Sequence, residues 1–171
     1  MNEAAQRWDT FLGKVRARLQ EILTEAHAGL DELIAIEVID PGPVAAAENE
    51  VKARLFALRD KIDPAWRKLE GELGDAHAHL EDHGRRLESD ILQAIEAFEL
   101  RTREKVRARL GELSAQELKQ RKLACSKCGA PLPEPAVQHR VENVTCPHCA
   151  ALNTVRPGMA TAMFHALKPR R

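Results

Sequence analysis

Four cysteines are the residues of this 171-residue chain best suited to chemistry, and they come as two pairs, Cys125-Ser126-Lys127-Cys128 and Cys146-Pro147-His148-Cys149. Two cysteines three apart can aim both sulfurs at one ion from a tight turn. Two such turns complete a tetrahedron with Zn–S bonds of about 2.3 Å. The seventeen residues between the pairs lie within the spacing of a four-thiolate zinc site. Gly129 follows the first pair, where the turn demands a positive φ that glycine adopts at little cost. Ala150 stands at the equivalent place after the second pair, where glycine would be more comfortable. With sulfur in all four positions no place is left for water, so one structural Zn2+ is the expected cofactor.

Two other chemistries use paired cysteines. Disulfide bonding suits an oxidising compartment, and the N-terminal MNEAAQRWDTF lacks the basic-then-apolar order of a secretory signal. Redox exchange is the second, because Cys146-Pro147-His148-Cys149 is similar to the active site of thioredoxin-like disulfide oxidases, in which a helix N-terminus lowers the pKa of the first thiol. No βαβ pattern surrounds it here. Between the pairs, Pro131-Leu132-Pro133 and the alternation Val137, Val141, Val144 predict two short strands. Such a piece is too small to fold alone, and a structural metal adds on the order of 10 kcal/mol. Residues 123–157 resemble the zinc-ribbon modules, a likeness that implies metal binding and leaves the function open. His139 and His148 read as solvated loop residues, needed as ligands only if a cysteine fails.

Two weaker clusters lie upstream. In GDAHAHLEDHG, His79 and His83 are four apart on one helix face, with His77 nearby and Asp75 four before His79. That geometry suits a transition metal or, more blandly, a partly buried polar seam. No Glu-x-x-His pair or HExxH accompanies it, so neither di-iron nor metalloprotease chemistry follows. The stretch Arg101, Arg103, Lys105, Arg107, Arg109, Lys119, Arg121, Lys122 reads as a solvated face whose cations complement a helix C-terminus. A sharper reading joins it to Lys127, Arg140, Arg156, Lys168, Arg170 and Arg171 as a surface for phosphate or an acidic partner. The charge distribution fits either: residues 1–100 carry 12 basic and 21 acidic side chains, residues 101–171 carry 14 and 5, and the net charge is zero. No aromatic lies between Cys125 and Cys149, so stacking on unpaired bases has no platform there.

The elements that must hold these groups are helices. Aromatics are 4% and tyrosine is absent, which argues against a β-sandwich or barrel. Trp8, Phe11, Leu12, Val15, Leu19, Ile22, Leu23, Ala26, Leu30, Leu33 and Ile34 recur at gaps that keep one stripe of a helix over about 4–37, near heptad spacing. Asp40-Pro41-Gly42-Pro43 ends it. A second helix follows over about 44–61. Asp63-Pro64 reads as an N-cap and first helical residue of a third, whose stripe from Leu69 through Leu80 and Phe98 to Leu113 predicts one helix over about 65–122. Gly84 is the expected point of a kink or break in it. Met159, Met163, Phe164 and Leu167 share one side of a short helix in the tail, which either caps the ribbon or offers an apolar patch.

Between the second and third helices lies Asp60-Lys61-Ile62-Asp63-Pro64-Ala65. Asp-x-x-Asp-x-Ala at a helix–helix turn, upstream of a four-cysteine site with seventeen intervening residues, resembles the DksA/TraR family of bacterial transcription regulators. Those proteins insert a coiled-coil tip into the secondary channel of RNA polymerase. The resemblance implies a tip function for Asp60, Asp63 and Ala65. The long preceding helix, the length of the following one and the turn-rich 153–158 depart from that family.

The sequence thus predicts a mostly α protein: a three-helix bundle or coiled coil over 1–122, a long third helix leading into a small β zinc ribbon at 123–157, and a basic helical tail at 158–171. No run approaches about 18 apolar residues, so no membrane span is expected. No phosphate-binding loop, GxSxG, GxGxxG or catalytic carboxylate pair occurs. The expected function is a non-enzymatic, cytoplasmic adaptor. Its helices serve self-association or protein binding, and its ribbon gives a second interaction surface; action on RNA polymerase or nucleic acid is the rival.

Overall fold

The computed structural model describes residues 3–35, 41–72 and 77–167, and the side chains of all of these except Pro41 and His77. The elements are α1 (Glu3–Ala35), α2 (Pro41–Arg59), α3 (Ile62–Leu69), a single 3₁₀ turn (Glu70–Glu72), α4 (His77–Gln120), β1 (Glu142–Thr145), β2 (Leu152–Val155) and α5 (Met159–Ala166). Long helices followed by a small antiparallel sheet are the predicted architecture. The chain divides into two compact units, Met1–Arg103 and Glu104–Arg171. This division lies before the expected boundary at 122, and the part of α4 beyond it contacts α5: Ser114 and Glu117 meet Thr161, and Arg107 lies over Phe164.

In the first unit the stripe of α1 is buried as its spacing requires, from Ala4, Ala5, Trp8 and Leu12 through Val15, Leu19 and Ile22 to Leu30. Trp8 and Leu80 meet at one end, and His27 lies 5.4 Å from the Phe98 ring at the other, so α1 and α4 run side by side in the same direction. Arg54 pairs with Glu25, and Lys52 with Glu99, which ties α2 to both. Val44, Val51, Leu55 and Leu58 of α2 complete this core with Leu87, Ile91, Ile95 and Phe98 of α4.

Three sequence expectations need correction. α2 begins at Pro41 rather than 44: Pro41, Gly42 and Pro43 form its first turn, where a missing N–H costs no intrahelical bond. α3 begins at Ile62, so Asp63 is not the cap; Lys61 is, without a side-chain cap bond, and Asp63 pairs with Arg67 at 2.8 Å. Most importantly, the helix expected over 65–122 is two helices, and the break falls before α4 while Gly84 lies inside it.

The reason is Trp8. Its ring centroid is 5.1 Å from that of Trp66, and its Nε1 donates to the Leu80 carbonyl at 2.8 Å. Fourteen residues of unbroken helix would separate Trp66 from Leu80 by about 21 Å. Both can touch one indole only if the chain folds back between them. Periodicity hides this, because Leu69, Leu73, Ala76 and Leu80 continue at helical spacing; Leu73 and Ala76 lie outside the described residues. Gly84 serves close approach instead of kinking: a Cβ there would lie 2.8 Å from Cζ2 of Trp8.

In the second unit, α5 is docked through its N-terminus. Glu117 on α4 accepts hydrogen bonds from Ala160 N (3.0 Å), Thr161 N (3.0 Å) and the Thr161 hydroxyl (2.9 Å), and Ser114 Oγ lies 3.0 Å from Thr161 Oγ1. Phe164 is half-buried beneath the Arg107 guanidinium, 5.9 Å away, whereas Met159 and Leu167 are exposed. Burial raises the Glu117 pKa, but the bonds from Ala160 and Thr161, with the charge of Arg121, outweigh it and leave the carboxyl below its usual range. A depressed folded-state pKa stabilises above the unfolded value and loses that stabilisation as pH falls through the folded one. Hydrogen-exchange protection across 159–166, taken relative to the intrinsic rate at each pH, should therefore fall on acidification below the ordinary carboxylate range. Glu117→Ala should produce the same release at neutral pH, at a cost of about 2 kcal/mol. Unchanged protection of α5 in that variant would contradict the docking role.

Candidate metal centre

The two cysteine pairs sit on turns of matching construction. In the first, Gly129 N donates to Cys125 O (2.9 Å) and Cys125 N to Ala130 O (2.8 Å); in the second, Ala150 N donates to Cys146 O (3.0 Å) and Cys146 N to Ala151 O (2.9 Å). The residue after each pair has positive φ, +73° at Gly129 and +55° at Ala150. Both turns thus require the left-handed conformation anticipated from the sequence, and at Ala150 a side chain tolerates it at a cost of order 1 kcal/mol.

Each pair is itself the turn of a hairpin, which corrects the strand expectation. β1 precedes Cys146 and β2 follows Cys149, with Thr145 opposite Leu152 and Glu142 opposite Val155. Only β1 lies between the pairs. Around the first pair the hairpin is reduced to an Ala124–Pro131 bridge, reinforced by Leu132 N donating to Leu123 O at 2.9 Å. Pro131, Pro133 and Pro135 have no N–H to extend a ladder. Pairing therefore runs across each cysteine turn, not from one turn to the next.

All four sulfurs lie within 4.8 Å of one another, and Cys125–Cys149 and Cys128–Cys146 approach to 3.6 and 3.7 Å. A tetrahedron with 2.3 Å metal–sulfur bonds has edges of about 3.8 Å, whereas a disulfide needs about 2.05 Å. Four cysteines are therefore positioned to coordinate a metal ion. Cys125 and Cys146 are buried, Cys149 is half-buried and Cys128 is exposed. The donor set also fits a cation electrostatically. Backbone N–H groups of Cys128 and Lys127 hold the Cys125 thiol down to about 6. At Cys149 the Ala151 N–H acts downward, but the contact with Cys128, burial and the contacts with Cys125 and Cys146 push the thiol up to about 12. Four adjacent thiols cannot all ionise unless a positive ion neutralises them.

Asn153 was not identified as a site residue from the sequence, where it belonged to a turn-rich stretch. It is buried on β2, and its side chain joins the two turns. Oδ1 accepts from Ser126 N (2.9 Å) and Ser126 Oγ (3.0 Å); Nδ2 donates to Ala151 O (2.9 Å) and faces Cys125 Sγ at 3.6 Å. A polar residue in a period-two strand offers no local sign that it will bridge to a turn 27 positions earlier. Asn153→Ala leaves the Ser126 amide without its acceptor and should weaken metal affinity by about tenfold to a hundredfold. Competition with a chromophoric chelator measures it, and unaltered affinity would remove Asn153 from the site.

The other sequence candidates are dispersed. His148 is exposed, and His139 stacks on His165 with centroids 4.2 Å apart; neither joins the sulfurs. Asp60 is exposed at the α2–α3 turn, where Arg59 donates to it from Nε (2.9 Å) and Nη2 (2.6 Å). Asp63 is on the first turn of α3, and Ala65 is half-buried one turn from Lys61. Arg101 and Arg103 are exposed and belong to the first unit; Lys119, Lys122, Lys127 and Arg140 are exposed in the second. Arg107 is drawn onto Phe164, and Arg121 donates to the Arg156 carbonyl at 2.5 Å. Lys168, Arg170, Arg171 and Asp75 lie outside the described residues. No helix among the described residues is long and apolar enough to cross a membrane.

No family model matches the chain, and no curated protein or solved structure matches it either.

Proposed function

We propose that the protein is a non-enzymatic, zinc-binding helical adaptor of a reducing compartment, the cytoplasm. The convergence of four free thiols from two matched turns carries this reading. Imidazole or carboxylate is absent from the set, the thiolates suit zinc, and four sulfurs leave no open position for a reactive water. The ion is then structural, and the function lies in the surfaces it organises. The helical unit serves self-association or partner binding. The second unit presents Lys119, Lys122, Lys127 and Arg140 to an acidic protein. Two of its five carboxylates are spent on backbone N–H groups: Glu117 holds α5, and Glu142 accepts the Val137 N–H at 2.9 Å.

A second reading rests on those same cations: they contact phosphate, as a transcription regulator on nucleic acid or RNA polymerase would. The exposed Asp60 and Asp63 support a polymerase contact, but the eight-residue α3 does not supply the second arm of a coiled-coil tip.

Metal analysis of reduced protein should find one zinc per chain, and cobalt substitution should give the intense absorption of a tetrahedral thiolate site. No bound metal would end the proposal. Partner capture with the full chain, repeated with Lys119, Lys122, Lys127 and Arg140 changed to Glu, then separates the surfaces. Loss of an acidic protein supports the adaptor. Steeply salt-dependent retention of DNA or RNA supports the rival, and polymerase capture lost on Asp60→Asn plus Asp63→Asn supports its tip form.

A further inference from the structure

We infer that Asp9, His79 and His83 form a second, surface metal site that takes a divalent transition-metal ion and clips the start of α1 to the start of α4. Trp8 and Gly84 are held in van der Waals contact. Asp9 follows Trp8 and His83 precedes Gly84, so the same contact brings Asp9 Oδ1 to 3.8 Å from His83 Nδ1. His79 is one helical turn before His83, and their rings meet edge to face with centroids 4.3 Å apart. Two imidazoles spaced i, i+4 on one face project in the same direction. With a carboxylate from the neighbouring helix they supply an N, N, O donor set suited to Ni2+, Zn2+ or Cu2+ and unsuited to Mg2+ or Ca2+.

The surrounding charges leave the set available. Glu81 and Asp82, on the same turns of α4, are engaged by Arg85 and Arg86. Among the described residues only the four cysteines already hold their donor atoms within 4.8 Å of one another. Closing the second set requires rotation of side chains that solvent reaches: the side chains of His83 and Asp9 are 33% and 51% exposed, and His79 is exposed. Rotamer changes of that kind are inexpensive at a surface. The sequence had paired these histidines with Asp75; the fold supplies Asp9 from 70 residues away.

An ion bridging α1 and α4 binds the folded unit and not the unfolded chain, so it raises stability with its concentration. The test uses full-length reduced protein whose cysteines are already filled with one zinc per chain, titrated with Ni2+ at pH 7.5. Calorimetry should show one Ni2+ bound in the micromolar range, with a higher midpoint of thermal unfolding. His79→Ala and His83→Ala should each weaken binding at least about tenfold, and Asp9→Asn about tenfold with loss of the thermal shift. All three side chains are solvent-facing, so the variants keep the fold, which circular dichroism checks. Binding unchanged in the His79→Ala/His83→Ala double variant would place the nickel elsewhere and overturn the inference. Full affinity in Asp9→Asn would reduce the site to a chelate within α4 and overturn the clip.

Discussion

Cys128→Ser, or removal of the metal by a chelator under reducing conditions, unfolds residues 123–157 and leaves the first unit helical. The two strands have four residues each and bury little beyond Val144, Val155, Cys125 and Cys146. That is far too little apolar area to offset the backbone entropy of some 35 residues, at about 1 kcal/mol or more apiece. A structural zinc contributes about 10 kcal/mol or more, and a serine oxygen is a poor substitute for the fourth thiolate. Far-ultraviolet circular dichroism should retain nearly all its helical signal, while hydrogen exchange shows 123–157 losing protection and α1, α2 and the start of α4 keeping it. Collapse of total helicity would mean that the two units do not fold separately.

Trp8→Ala is the corresponding change for the first unit and should cost about 3–5 kcal/mol. Trp8 is fully buried, stacks on Phe11 with centroids 5.6 Å apart, tilts against Trp66 and spends its N–H on the Leu80 carbonyl. Truncation empties the point where α1, α3 and α4 meet. Gly84→Ala attacks the same contact from the other side and should cost about 1–3 kcal/mol through overpacking. The pair is diagnostic together. Trp8→Phe removes the atoms that a Cβ at 84 would strike, so Gly84→Ala should cost less in that background than in the native chain. Denaturant unfolding of the four proteins gives the coupling. Simple additivity would show that Gly84 matters for helix propensity and not for the indole.

Much of this architecture was legible in advance because it depends on short-range rules. The gaps of three and four along α1 reproduce its buried face. The Cys-x-x-Cys turns were identified with their left-handed following residues, Gly129 and Ala150, because that backbone demand is local. The tail helix was legible from Met159, Met163 and Phe164. What was missed depends on contacts far apart in sequence. The apolar stripe runs unbroken through the true end of α3, so no local signal separated Gly71, just past that end, from Gly84, which is packed. Pro131, Leu132 and Pro133 read as part of a strand between the cysteine pairs, whereas the pairing runs across each cysteine turn. Asn153, Glu117 and Asp9 all act on groups 27 or more positions away, and nothing in their neighbours announces it.

The chain has two tryptophans and no tyrosine, and both indoles lie where α1 meets α3. Intrinsic fluorescence is therefore a reporter of that region alone, and the cysteine-bearing unit is optically silent by the same measure. Protein whose four sulfurs hold no ion would emit as protein whose sulfurs hold one. Its purity of state has to be judged by an absorbing metal such as cobalt, or by thiol reactivity, before any conclusion is drawn from what the protein fails to bind.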